Sequence, residues 1–208
     1  MARDFLSASK FVVTIDQAAL LRQVTTGPNG KITGNEVRSY VYPIIEEARQ
    51  DLVKDFYNHS VTKEIKSGPN ASNSSGTLSG YGNLFSFIGF DTSQNPFEEI
   101  EAIINQRLNV RVRAVGNGKF KITILNAPSK EDIYAVSPLP WADGASWAEG
   151  IEKGISNLGS FLYRPQGITG SVSGTGVQAR SKLRATSFRT QPYISKIINK
   201  FLENATKF

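Results

Sequence analysis

Apolar residues recur at three- and four-residue steps through Val37, Val41, Ile44, Ile45, Ala48, Leu52 and Phe56. That period places them on one face and predicts a long helix from about Asn35 to Tyr57. Glu46, Glu47, Arg49, Gln50 and Lys54 fall on the opposite face. Pro43 sits inside the pattern. It lacks an N–H and crowds the preceding turn, so either a kink or a helix beginning there is expected. Asn95-Pro96-Phe97-Glu98 has the form of a helix start, and Phe97, Ile100, Ile104 and Leu108 supply its buried stripe. Ser146 and Glu149 form a capping box. The helix it opens would bury Trp147, Ile151, Ile155, Leu158 and Leu162. A last helix is expected after Pro192, burying Tyr193, Ile194, Ile197, Ile198, Phe201 and Leu202 and exposing Lys196, Lys200 and Lys207. A short helix capped by Asp16 would carry Ala18, Leu20 and Leu21.

Elsewhere the period is two. Residues 110–115 (Val-Arg-Val-Arg-Ala-Val) and 119–125 (Lys-Phe-Lys-Ile-Thr-Ile-Leu) alternate around Gly116-Asn117-Gly118. A turn that paired Val115 with Phe120 would mix the faces. A three-residue loop pairs Ala114 with Phe120, Val112 with Ile122 and Val110 with Ile124, with Gly118 left-handed. The resulting hairpin has one apolar face and one face carrying Arg111, Arg113, Lys119 and Lys121. The glycine-bounded apolar run 82–90 predicts a buried strand. Pro128, Pro138 and Pro140 punctuate an extended stretch ending at Trp141. Two Gly/Ser-rich loops, 66–82 and 164–178, are expected to order on assembly. The fold class is α+β: a small antiparallel sheet that includes the 110–125 hairpin, packed against the long N-terminal helix and C-terminal helices. Residues 1–34 read as an N-terminal extension and 35–208 as one domain.

Charge adds an asymmetry. Of the 208 residues, 24 are Lys or Arg and 18 Asp or Glu, a net +6. From Arg164 to Phe208 eight Lys/Arg face Glu203 alone, a net +7, which leaves −1 for the rest. Such a balance suits an acidic or polyanionic partner. Arg180, Lys182, Arg184 and Arg189 are the candidates in that quarter, beside the four hairpin cations. Cysteine is absent and His59 is the single histidine. Thiolate metal sites, cysteine nucleophiles and poly-histidine sites are thereby excluded. Phosphate-loop and nucleophile-elbow signatures are missing. The Ser7-to-Lys10 match to S-x-x-K has no companion motifs, and Glu46-Glu47 and Glu98-Glu99-Glu101 read as solvated faces. His59 reads as a capping or surface residue. No catalytic residue, metal or cofactor is therefore expected, and a non-enzymatic role is. The mixed polarity after Met1 suggests no secretory leader, and no apolar run is long enough for a bilayer span.

Three features together resemble a known family. A long helix leads through a flexible loop to Gly82-Asn83-Leu84 with Phe87-Ile88, similar to a "TGxLxxSI"-like strand. A two-stranded ribbon follows. Gln191-Pro192-Tyr193-Ile194, after Phe188-Arg189, then opens the terminal helix in the manner of a "Pro-Phe-Leu"-like entry. This resembles the neck or tail-completion (head–tail joining) proteins of tailed bacteriophages, over about residues 35–205. Trp141, Trp147 and the glycine-rich stretch 171–178 are similar to segments of myophage-type virion proteins. The resemblance implies a homo-oligomeric ring, hexameric in expectation, between head connector and tail. Its partners would be adjoining neck, adaptor or tail proteins, with DNA in the channel and no membrane. It implies assembly in the host cytoplasm and a place in the virion neck or upper tail. A tail terminator, and a free nucleic-acid-binding protein using the basic quarter, remain alternatives. Tyr81, Leu84, Phe85, Trp141 and Trp147 are the interface or loop candidates.

Overall fold

The computed structural model describes residues 10–16, 32–78, 82–140, 142–154, 161–163, 176–178 and 188–208. The chain is α+β, and it divides into two compact units. The first comprises Met1–Val53, Ile103–Asp132 and Ile198–Phe208; the second comprises Lys54–Ala102 and Ile133–Ile197.

In the first unit strands β1 (Lys10–Asp16), β2 (Asn109–Gly116) and β3 (Lys119–Leu125) form an antiparallel sheet in the order β1-β3-β2. The hairpin has the expected register: Ala114 opposite Phe120, Val112 opposite Ile122, Val110 opposite Ile124. Its closure is tighter than expected. Gly116 pairs with Lys119, so the turn is the two residues Asn117-Gly118, both at positive φ (51° and 67°). This is the backbone that a primed hairpin turn demands. An irregularity between Ala114 and Gly116 absorbs the odd residue and restores the facing.

The strand β1 corrects the view of residues 1–34 as an extension, because Lys10–Asp16 pairs along all of β3. Asp16 is the last residue of that strand; the short helix expected after it, with Ala18, Leu20 and Leu21, lies outside the described residues. Ile15, Val110, Phe120, Ile122 and Ile124 are buried on one side of the sheet. Helices pack on that side. Helix α1 (Gly34–Asn58) starts where the Glu36 carboxylate accepts the Thr33 N–H at 2.6 Å. Within this unit it buries Val37, Val41, Ile45, Ala48 and Leu52, and it continues through Pro43 instead of starting there. Helix α7 (Ile194–Asn204) adds Ile198 and Phe201.

The second unit holds α2 (Ser60–Lys66), a 3-10 turn at Gly68–Asn70, α3 (Leu84–Ile88) and most of α4 (Glu98–Ile104). It also holds the end of α5 (Lys130–Ala135) and strands β4 (Pro138–Leu139) and β5 (Ala142–Ser146). Helix α6 (Trp147–Lys153) and the pair β6 (Phe161–Tyr163) and β7 (Gly176–Gln178) complete it. Its centre is aromatic. Trp147 meets Phe90 and Phe97 edge-on, each at 5.7 Å between centroids, and Phe56 stacks on Tyr193.

Three local expectations are corrected here. The run 82–90 is a helix, α3, not a strand. Asn83 caps it by accepting the Ser86 N–H at 2.9 Å, and Gly89 ends it at φ 87°. The proline-punctuated stretch contains α5, opened by Ser129 accepting the Asp132 N–H. Helix α6 ends at Lys153 against Gly154 and Leu162 lies in β6, while Ile155 and Leu158 lie outside the described residues.

Replacing Ile122 by Ala should cost about 2–5 kcal/mol, the cavity cost of a buried isoleucine on the central strand. The pair Arg113→Ser and Lys121→Ser should change stability by less than about 0.5 kcal/mol each. Urea unfolding midpoints of the three variants check both expectations.

Candidate functional site

The pleat of three strands decides which residues face water. On the open face Val12, Thr123 and Arg111 form one cross-strand row, and Thr14, Lys121 and Arg113 the next. Lys10, Leu125 and Asn109 form a third. Lys119 lies beyond, opposite Gly116 and Asp16. Side chains in one row stand about 5 Å apart, and successive rows about 7 Å.

Lys10, Arg111, Arg113, Lys119 and Lys121 are all exposed. Among the described side chains none of these five has a carboxylate partner, whereas Arg49, Lys66, Lys130 and Lys153 each have one. Asp16 is the single acidic residue in the three strands. Lys10, Arg111, Arg113, Lys121, Thr123 and Leu125 line a depression of about 220 Å³ on this face. The only exposed large apolar side chains among the described residues, Val12 (39%) and Val115 (52%), are in these strands too.

The four hairpin cations therefore come together as expected, and β1 adds Lys10. Sequence reading missed Lys10 because residues 1–34 were set apart. The signal was present: Phe11-Val12-Val13-Thr14-Ile15 is a run of aromatic and β-branched residues between Lys10 and Asp16. Of the other candidates, Arg180, Lys182, Arg184, Tyr81 and Trp141 lie outside the described residues. Arg189 is exposed in the second unit, its backbone N–H donated to the Thr77 carbonyl at 2.7 Å. Leu84 (0%), Phe85 (5%) and Trp147 (1%) are core residues. Their aromatic and aliphatic surface is already used within the chain, which removes them as partner-facing candidates.

Comparison with family models, with curated proteins and with solved structures gives no match for this chain. Its own chemistry has to carry the interpretation.

The loop expected to be free until assembly is tied down over residues 72–78. The buried Glu64 carboxylate accepts the Ser75 N–H at 2.7 Å and the Leu84 N–H at 2.8 Å. The Gln191 amide donates to the Ser75 carbonyl and to Thr77 Oγ1, and Leu78 bridges to Phe188. Of loop 164–178 only residues 176–178 are described, as β7.

His59 caps α2, as expected. Its Nδ1 accepts the Val61 N–H at 3.3 Å, and its ring lies 4.8 Å from that of Tyr193. Burial holds the imidazole below its ordinary range, and Lys196 pushes the same way. A hydrogen bond to the Pro192 backbone, the largest effect after burial, and the Glu152 carboxylate oppose them. Among the described residues no three His, Cys, Asp or Glu are grouped to hold a metal ion.

Because the folded pKa of His59 is depressed, the unfolded chain takes the proton first as pH falls. Its contribution is complete above about pH 6.5, the unperturbed value, and declines as pH drops below that. Protonation also removes the lone pair that accepts the Val61 N–H. Thermal melts between pH 5 and 8 should show this loss in the wild type. His59→Asn, which keeps a capping oxygen but cannot titrate, should have a flatter profile over that range.

Proposed function

We propose that this chain is a structural subunit of a tailed-bacteriophage virion, one copy of a homo-oligomeric ring in the neck that joins the head connector to the tail. The tail terminator is the nearest variant of that reading. It acts through surfaces, with no chemistry of its own. One observation supports it above the rest. The two motifs that carry the resemblance lie about 100 residues apart in sequence, yet they meet in the second unit. Phe87 stacks on Phe188 with centroids 5.7 Å apart, and the Leu78–Phe188 bridge stands beside them. Past Pro192, Glu152 accepts the Tyr193 and Ser195 N–H groups at 2.8 and 2.7 Å, fixing the entry to α7. The order of long helix, glycine-flanked segment, ribbon and terminal helix also agrees, although the glycine-flanked segment is a helix. The second reading, a free nucleic-acid-binding protein, is favoured by the clustered cations of the sheet.

Two experiments test the ring. Purified protein should sediment as a closed oligomer and form annular particles by negative-stain microscopy. A phage with a stop codon in this gene should yield DNA-filled heads without tails beside free tails. A monomer at all concentrations, together with intact virions from the mutant phage, would overturn the proposal.

A further inference from the structure

We infer that the open face of the β1-β3-β2 sheet binds the phosphate backbone of duplex DNA, without reading its sequence. The inference stands on that face alone and does not rest on the ring. Lys10, Arg111, Arg113, Lys119 and Lys121 project from three strands that carry one acidic residue, Asp16, opposite Lys119. Isolated surface ion pairs contribute little to stability. Cations crowded on one face repel one another, so folding does not account for the cluster. A phosphate backbone does, because each cation that meets a phosphate releases condensed counterions. Thr14 and Thr123, in the same rows, add hydroxyl donors of the kind that position a backbone.

Two observations choose among polyanions. The outward positions of the three strands carry no aromatic ring: Phe120 is buried on the other face, and Phe11 shares its parity. Single strands are held largely by bases stacking on such rings, so a ring-free face suits a duplex, whose bases are already stacked. A second copy of the chain is a poor occupant, since it brings the same net +6.

The test uses the full-length chain and a fluorescein-labelled random 30-base-pair duplex, titrated by anisotropy at several salt concentrations. Contact by all five cations gives a slope of log K against log salt of about −4.5, a loss of about 500-fold between 50 and 200 mM. The variant Arg111→Ser/Arg113→Ser/Lys121→Ser should make that slope shallower by about 2.7. The control Lys54→Ser/Lys63→Ser/Lys196→Ser removes the same charge from exposed helical positions and should leave the slope unchanged. Arg111→Lys/Arg113→Lys should also preserve it, which separates charge from folding. Equal weakening by both triple variants would reduce the effect to net charge and overturn the inference. A thymidine 30-mer bound ten times more tightly than the duplex would overturn the duplex assignment. Binding to poly-glutamate with none to DNA at 50 mM salt would make the face a protein-docking surface and overturn it as well.

Discussion

A pleated strand can bury only every second side chain, and β3 lies between two neighbours that must obey the same parity. Phe120, Ile122 and Ile124 take the inward positions, so Lys119 and Lys121 have no choice but to face water. Each residue opposite inherits that assignment, which sends Arg111 and Arg113 outward from β2, and Lys10 and Thr14 from β1. Burying the core thus decides which positions face water, but not that cations occupy them. A shift of one residue in either pairing would put guanidinium groups among isoleucines, a cost far above that of any turn. The bulge near Val115 shows what wins when turn and register conflict: the chain keeps the register and leaves Val115 in solvent.

The parts of this architecture that sequence alone revealed are those where one pattern has one explanation. The hairpin faces, the α1 and α7 stripes and the Ser146 capping box are of that kind. Where two signals competed, the stronger-looking one misled. The run from Leu84 to Ile88 is apolar throughout and suggested a strand, but Asn83 and Gly89 at its ends are helix caps, and five residues are too few to display a 3.6 period. The Ser129–Asp132 pair is a small N-cap hidden among prolines. For the candidate surface, four of the five sheet cations were legible. The fifth depended on recognising β1, and its pairing spans more than 100 residues of sequence. Exposure was the least legible property. Leu84, Phe85 and Trp147 have the composition of an interface, and tertiary packing had already claimed them.

Two carboxylates organise the second unit in the same manner. Glu64 and Glu152 each accept two backbone N–H groups, and Glu152 also accepts the Tyr134 hydroxyl at 2.6 Å. Each joins segments remote in sequence, so each replaces regular secondary structure where the backbone has none. Charge-assisted bonds of this type are about twice as strong as neutral ones. That strength suits a region whose backbone otherwise consists of short helices and turns.

The three-stranded sheet has an unusual exposure of a different sort: among the described residues β1 and β2 are both edges. Unpaired strand edges are templates on which like chains accrete. Here Lys10 stands on one edge and Arg111 and Arg113 on the other, and their like charge opposes one sheet extending another. Such protection is only as long-ranged as the ionic atmosphere allows, about 8 Å at physiological strength and about 3 Å in molar salt. Any polyanion that neutralises the face also lifts the barrier, so the surface that favours binding is the one that guards the protein against its own aggregation.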